Sequence, residues 1–230
     1  MFRWTNSSLD RISALKIWVL VTKSRNKVVP RVFVLIFLDF LFFIEEGDKL
    51  KLVTERLIIR NFKFSDDKDL YEMCKDPLTA YNAGWTPHPN INATRNVVLN
   101  YSCGDETFAV ILKENNKLIG TISLYKSNLR KSINCRELGF CMNKIYRNLG
   151  YMTEAVEAIL YYGFYELYLD LIMVCHHEKN IASKAVINKF PFLYEGTLRM
   201  YRRLCDDTIV DGVMYSMKKE EYWRYKHERD

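Results

Sequence analysis

The stretch from Phe140 to Val156 limits what this chain can fold into more than any other. An apolar run, Leu138 to Met142, breaks at Asn143-Lys144. Arg147-Asn148-Leu149-Gly150-Tyr151-Met152 follows, and Thr153-Glu154-Ala155-Val156 then opens a helical pattern. That order is strand, basic turn, helix. Such a turn aims backbone N–H groups and the positive end of a helix dipole at one point, and Gly150 removes the side chain that would block a close approach. An anion such as a diphosphate suits that point. Taken alone, the same pattern also fits an ordinary strand-to-helix connection.

The flanking patterns extend this unit. From Met152 to about Tyr168, apolar residues at Ala155, Val156, Ile159, Leu160, Phe164 and Leu167 give a helix with one buried face. Leu171 to Cys175 is a short apolar strand, so strand, helix and strand form a βαβ unit with parallel strands and a right-handed crossover. Upstream, Leu52 to Arg60 reads as an extended lead-in and first strand. Ser65 to Met73 is an amphipathic helix capped by Ser65 or Asp66. Asp76-Pro77 ends that helix, Asn82 to Pro89 is loop, and Ile91 to Tyr101 is a second helix. Thr107 to Leu112, Leu118 to Tyr125 and Asn134 to Met142 make an antiparallel meander. In its third strand, alternation places Cys135, Glu137, Gly139 and Cys141 on one face and Arg136, Leu138, Phe140 and Met142 on the other. Downstream come a helix from Asn180 to Phe190 and a closing hairpin, Leu193 to Leu204 with Thr208 to Met217. The class is mixed α/β.

Composition narrows the partners. A chain of 230 residues that is 49% hydrophobic can build a sizeable core, and its net charge of +6 is spread without the Lys/Arg clustering of a nucleic-acid footprint. The six cysteines form no C-x-x-C pair and the four histidines no metal-ligand spacing. No metal is expected, and the thiols read as reduced in a cytoplasmic protein. Residues 1–49 behave differently from the rest. Their apolar run, Val32 to Ile44, includes Asp39 and is shorter than the roughly twenty residues that span a bilayer, so no membrane segment is expected. Glu45-Glu46-Gly47-Asp48 can be encoded by a purine run resembling a bacterial ribosome-binding site, with Leu50 or Leu52 as a start codon just beyond. Residues 1–49 are therefore expected to be a disordered extension or an untranslated leader read in frame. The domain proper is expected to cover 50–222, with a tail at 223–230.

Several fragments occur in a telling order: Thr54-Glu55-Arg56-Leu57-x-x-Arg60, Leu118-Ile119-Gly120-x-Ile122, Glu137-Leu138-Gly139-Phe140, Arg147-x-x-Gly150-Tyr151-Met152-Thr153-Glu154-Ala155, Asn180-Ile181-Ala182-Ser183 and Tyr194-Glu195-Gly196-Thr197-Leu198-Arg199. Together they resemble the GNAT N-acetyltransferases, in particular the RimJ/RimL-type branch, over roughly Leu52 to Tyr222. The resemblance implies the GNAT fold, a mostly antiparallel sheet with a splayed parallel pair flanked by helices. It also implies acetyl-CoA as donor and a primary amine as acceptor, either a protein N-terminus or a small amine such as a polyamine or antibiotic. The family's phosphate loop falls on Arg147, Asn148, Leu149, Gly150, Tyr151, Met152 and Thr153. Asn148 stands where glycine is often found and Met152 where glycine or alanine is. The splayed strand would hold the pantetheine arm through the backbone of Phe140, Cys141 and Met142.

The reaction needs a neutral amine, a polarised carbonyl and a stabilised thiolate. Glu137 is the candidate base, since the pleat can point it into the cleft; a solvated strand residue is its plainer reading. Asn180 and Ser183 match the family's Asn-x-x-Ser motif and would contact CoA or substrate water, although Asn180 also serves as a plain N-cap. The tyrosine that many relatives use as general acid falls on Ile187, leaving Ser183 or water to protonate the thiolate. Pro191, in Phe190-Pro191-Phe192, replaces a glycine and forbids a left-handed cap. His176 and His177 read as surface residues at a strand end, with a place in the cleft as the alternative. Trp85 and Tyr201 would shape the acceptor channel. The missing tyrosine also permits a CoA-binding protein without turnover.

Overall fold

A computed structural model of the chain describes residues 50–228, except 105 and 128. The expectations for residues 1–49 lie outside the described residues.

One eight-stranded sheet organises the domain, in the order β1-β2-β3-β4-β5-β6-β8-β7. The lead-in and first strand expected over Leu52 to Arg60 are in fact a hairpin of two short strands, β1 (Lys51–Val53) and β2 (Leu57–Arg60), antiparallel with Lys51 opposite Arg60. The chain turns between them because the Thr54 N–H reaches the Leu57 carbonyl at 3.0 Å. Helix α1 (Asp67–Cys74) follows a single 3-10 turn. The expected side-chain cap is not made. Asp66 sits at the cap position, but its carboxylate turns back to accept both Arg60 Nη atoms at 2.8 Å.

Asp76-Pro77 stops α1 and also starts a helix that the sequence reading missed, α2 (Pro77–Ala83). The Asp76 carboxylate accepts from Thr79 N, proline occupies the first turn, and Gly84 closes the helix at φ +81°. The loop expected from Asn82 therefore begins at Gly84. Helix α3 (Ile91–Cys103) is capped by Asn90.

Strands β3 (Thr107–Leu112), β4 (Lys117–Lys126) and β5 (Cys135–Met142) form the expected meander. Helix α4 (Tyr151–Tyr161) runs into a π-helical turn at Tyr162–Glu166, and β6 (Leu171–His177) then pairs parallel to β5. Helix α5 (Ile181–Ile187) leads to β7 (Leu193–Arg203), which pairs with β8 (Ile209–Lys218), and β8 lies beside β6. Helix α6 (Lys219–His227) continues through residue 223, where the tail was expected to begin, and Tyr222 within it is fully buried. The larger core packs Ala155, Val156, Ile159 and Leu160 of α4 on one sheet face; on the other, Leu70, Met73 and Val98 of α1 and α3 cover Ala109, Ile111 and Leu118. Among the described residues no helix is long and apolar enough to cross a membrane.

Candidate active site

The parallel pairing of β5 with β6 runs only from Cys135 opposite Leu171 to Leu138 opposite Val174. Beyond it β5 continues to Met142, held by β4, and β6 continues to His177, held by β8. Their backbones diverge there, leaving a wedge in the sheet with unpaired peptide groups facing into it.

At the open end of the wedge lies the basic turn. Arg147 fastens it, donating Nε to the Met142 carbonyl at 3.1 Å and Nη2 to Thr79 Oγ1 at 2.8 Å. Thr79 Oγ1 in turn donates to Asp76, which also pairs with Lys144 at 2.7 Å. The Lys144 ammonium is the chief reason the Asp76 carboxyl is held down at about 2, so this tie stays charged. Asn148 and Gly150 adopt left-handed conformations, φ +63° and +80°, on either side of Leu149. That alternation turns successive N–H groups to one side. It also accounts for asparagine at 148, the non-glycine residue best suited to the region. Gly150 caps α4 without a side chain, so the first-turn N–H groups stay unpaired within the helix.

The loop is braced from behind. The Glu154 carboxylate accepts from Thr54 Oγ1 at 2.5 Å and from Arg56 N and Nε at 2.7 Å. Arg56 Nη1 donates to the Leu149 carbonyl at 3.0 Å.

Two cavities open on the wedge. The first, about 350 Å³, is lined by Met142, Arg147, Asn148, Gly150, Tyr151, Met152 and Thr153. The second, about 300 Å³, is lined by Trp85, Glu137, Cys175, Tyr201 and Arg202 among others. They meet at Asn82, Ala83, Phe140, Cys141, Asn180 and Ser183, which line both. The expected site residues are thus brought together with one exception. The Leu149 side chain is 52% exposed and lines neither cavity.

Glu137 lies deep in the second cavity. Burial pushes its carboxyl up, while the Arg202 guanidinium and the Tyr201 hydroxyl, 3.5 Å away, pull it down. Burial also raises the Tyr201 phenol to about 12 and the Cys175 thiol to about 11. Asn180 caps α5, accepting from Ser183 N at 3.1 Å, and donates Nδ2 to the Asn82 carbonyl at 3.2 Å. Its cap therefore ties α5 to α2 across the wedge.

The surface reading of the two histidines is corrected. Both are buried, because β6 runs on through them beside β8 and under Tyr81. His176 stacks on Tyr215, and His177 packs edge-on against Tyr81 and lines the second cavity. Ile187 is sealed in the core, away from the wedge. Arg202 belongs to the Arg199 to Arg203 stretch expected to shape the acceptor channel, whereas Thr79 of α2, which lines the first cavity, was not expected; the Asp-Pro start with glycine seven residues on is the available signal for α2.

Residues 56–192 match the acetyltransferase (GNAT) domain family. The chain is 29% identical over 177 residues to the uncharacterized N-acetyltransferase p20 of Bacillus licheniformis, covering 74% of this chain and 97% of that one. It is 34% identical over 147 residues to the uncharacterized N-acetyltransferase YnaD of Bacillus subtilis, covering 64% and 85%. The same organism's putative ribosomal N-acetyltransferase YdaF is 33% identical over 110 residues, 46% of this chain and 56% of that one. A crystal structure of a GNAT-family acetyltransferase from Bacillus anthracis superposes with a TM-score of 0.68 at 29% identity, covering 75% of this chain and all of that one. With more than half of its length matched to that family, the chain is an N-acetyltransferase belonging to the GNAT family.

Proposed function

We propose that this chain moves the acetyl group of acetyl-CoA to a primary amine, with a protein N-terminal amine as the first acceptor class to test. The observation that carries the reading is the meeting of two cavities inside the wedge. One holds the basic turn at Arg147 to Gly150 and the other the half-buried carboxyl of Glu137. The diphosphate would lie on the backbone N–H groups from Asn148 to Thr153, where the α4 dipole favours negative charge. The pantetheine amides would complete the peptide groups of Phe140, Cys141 and Met142, putting the thioester near Asn180 and Ser183. Beyond the turn, a third hollow shares Gly150, Thr153 and Lys189 with the first cavity and adds Arg56, which suits the nucleotide end.

The acceptor would enter past Trp85 and Tyr201. Its ammonium gives a proton to Glu137, directly or through water. The neutral nitrogen then attacks the thioester carbonyl, the C–S bond breaks, and the proton that the nitrogen sheds on becoming an amide passes to the thiolate, relayed by Ser183 or water. A carboxyl raised by burial suits this task better than an exposed one. The likeness to YdaF supports a ribosomal or other peptide N-terminus as acceptor, and a cytoplasmic location fits that acceptor.

The test is thiol release from acetyl-CoA, with mass analysis of the product, over a panel of ribosomal N-terminal peptides, polyamines and aminoglycosides. Acetylation of a peptide α-amine supports the proposal in full. Acetylation of only the small amines overturns the acceptor class, and CoA binding without release for any acceptor overturns turnover itself.

A further inference from the structure

The edge strand β7 reaches the acceptor cavity through an irregularity. Leu198 pairs with Gly212 and Arg202 with Val210, so Arg199, Met200 and Tyr201 stand opposite Asp211 alone. Bulges of this kind re-aim side chains next to active sites. Met200 carries it in a left-handed conformation, φ +53°, although its side chain is 71% exposed and gains little from packing. A conformation unfavourable for methionine needs an outside hold. Asp211 supplies one, because its Oδ1 accepts from the Met200 N–H at 2.8 Å.

The next residue on β8 completes the device. A Cβ on Gly212 would stand 2.6 Å from Tyr201 Cγ, so the missing side chain is the seat of the tyrosine ring. Seated there, Tyr201 puts its hydroxyl beside Glu137. Arg202 lines the same cavity and reaches the Ala83 carbonyl at the end of α2. Charged or titratable groups around Glu137 are Tyr201 and Arg202 from β7, Cys175, His176 and His177 from β6, Tyr125 from β4, Tyr101 from α3, and Cys135 and Cys141 from its own strand.

We propose that Asp211 is a positioning residue for the acceptor site: it holds the β7 bulge so that Tyr201, seated on Gly212, stands against Glu137. The inference rests on the reading of Glu137 as the proton acceptor. Asp211 touches neither cavity and acts only through Tyr201.

The experiment measures kcat/KM for the acceptor against pH in Asp211→Ala, Asp211→Asn, Tyr201→Phe and the Asp211→Ala/Tyr201→Phe double variant of the full chain. The Tyr201 hydroxyl favours the Glu137 carboxylate, so losing it moves the acidic limb to higher pH. Asp211→Ala should lower kcat/KM about tenfold and move the limb the same way as Tyr201→Phe. The double variant should be no worse than Tyr201→Phe. Asp211→Asn keeps the accepting oxygen and should behave as the parent, and CoA affinity should be unchanged throughout. Additive losses in the double variant, or an unmoved limb in Asp211→Ala, overturn the inference. If Asp211→Ala does not fold, Gly212→Ala reads the same displacement from the opposite side and must move the limb likewise. Glu137→Gln run in parallel separates the two readings: an unaffected rate there refutes Glu137 as base, whereas additive losses in the double variant refute the coupling of Asp211 to Tyr201 whatever the base.

Discussion

Gly150 offers the sharpest test of the cofactor site, because two substitutions there act through separable physics. In Gly150→Ala the backbone must hold φ +80° with a Cβ attached, at a cost of about 1–2 kcal/mol. Space is not the obstacle. The nearest atom to the added carbon is Arg56 Nη2 at 3.3 Å, the end of a flexible side chain. A melting temperature lower by about 2–8 °C should therefore accompany Gly150→Ala, since each kcal/mol moves a domain of this size by about 2–4 °C. Gly150→Asp carries the same strain and adds a negative charge where the diphosphate would sit. At about 4 Å, one such pair repels by about 1 kcal/mol in water and about 4 kcal/mol at a typical protein surface. CoA affinity should then fall a further fivefold to about a thousandfold relative to Gly150→Ala. Titration calorimetry with CoA, beside thermal melts of both variants, reads the two effects apart. Equal CoA affinity in the Ala and Asp variants, with both folded, would refute an anion at this helix start.

Three further outcomes follow from the geometry. Glu137→Gln should lower kcat by about a hundredfold or more; in the parent, activity should fall as pH drops through the raised value of this carboxyl, and a rate profile without an acidic limb counts against the assignment. Glu154→Ala removes the acceptor for Thr54 and Arg56, and should cost about 2 kcal/mol, seen as a melting temperature lower by about 4–8 °C. Burial alone would raise the Glu154 carboxyl, but its hydrogen bonds to Thr54 and Arg56 outweigh that and hold it low. Its contribution is therefore present above the ordinary glutamate value and lost as pH falls through the lowered one, so the Glu154→Ala deficit should shrink in acid. Ile187→Tyr, which restores the residue found in many relatives, should destabilise by about 1–3 kcal/mol and leave kcat no higher, because position 187 faces the core; a faster variant would show that the α5 axis is turned differently.

What was legible in the sequence was what depends on near neighbours. The meander, the βαβ unit and the turn at Gly150 are written in alternation, helical period and one glycine, and each was placed within a residue or two. Helix α2 is hard to see in the sequence because Asp76-Pro77 both ends one helix and begins another. The burial of His176 and His177 is not legible because their covers are distant in sequence, Tyr215 of β8 for the first and Tyr81 of α2 for the second. The β7 bulge leaves no local signal at all, since nothing in Arg199-Met200-Tyr201 favours a left-handed methionine; its causes are Asp211 and the bare face of Gly212. The candidate site was found through its motifs, while the groups that aim its side chains were not.

The brace on the phosphate turn has a kinetic consequence. Thr54 and Arg56 meet Glu154 across 98–100 residues of chain, so the turn reaches its final shape only after the first hairpin has docked against a helix made much later. Contacts this far apart in sequence pay their loop-closure entropy before they return anything. The α4 start should thus be among the last parts of the domain to become ordered during refolding. Recovery of CoA binding should lag behind recovery of secondary structure, and a chain that has regained the one without the other is caught with its two ends still apart.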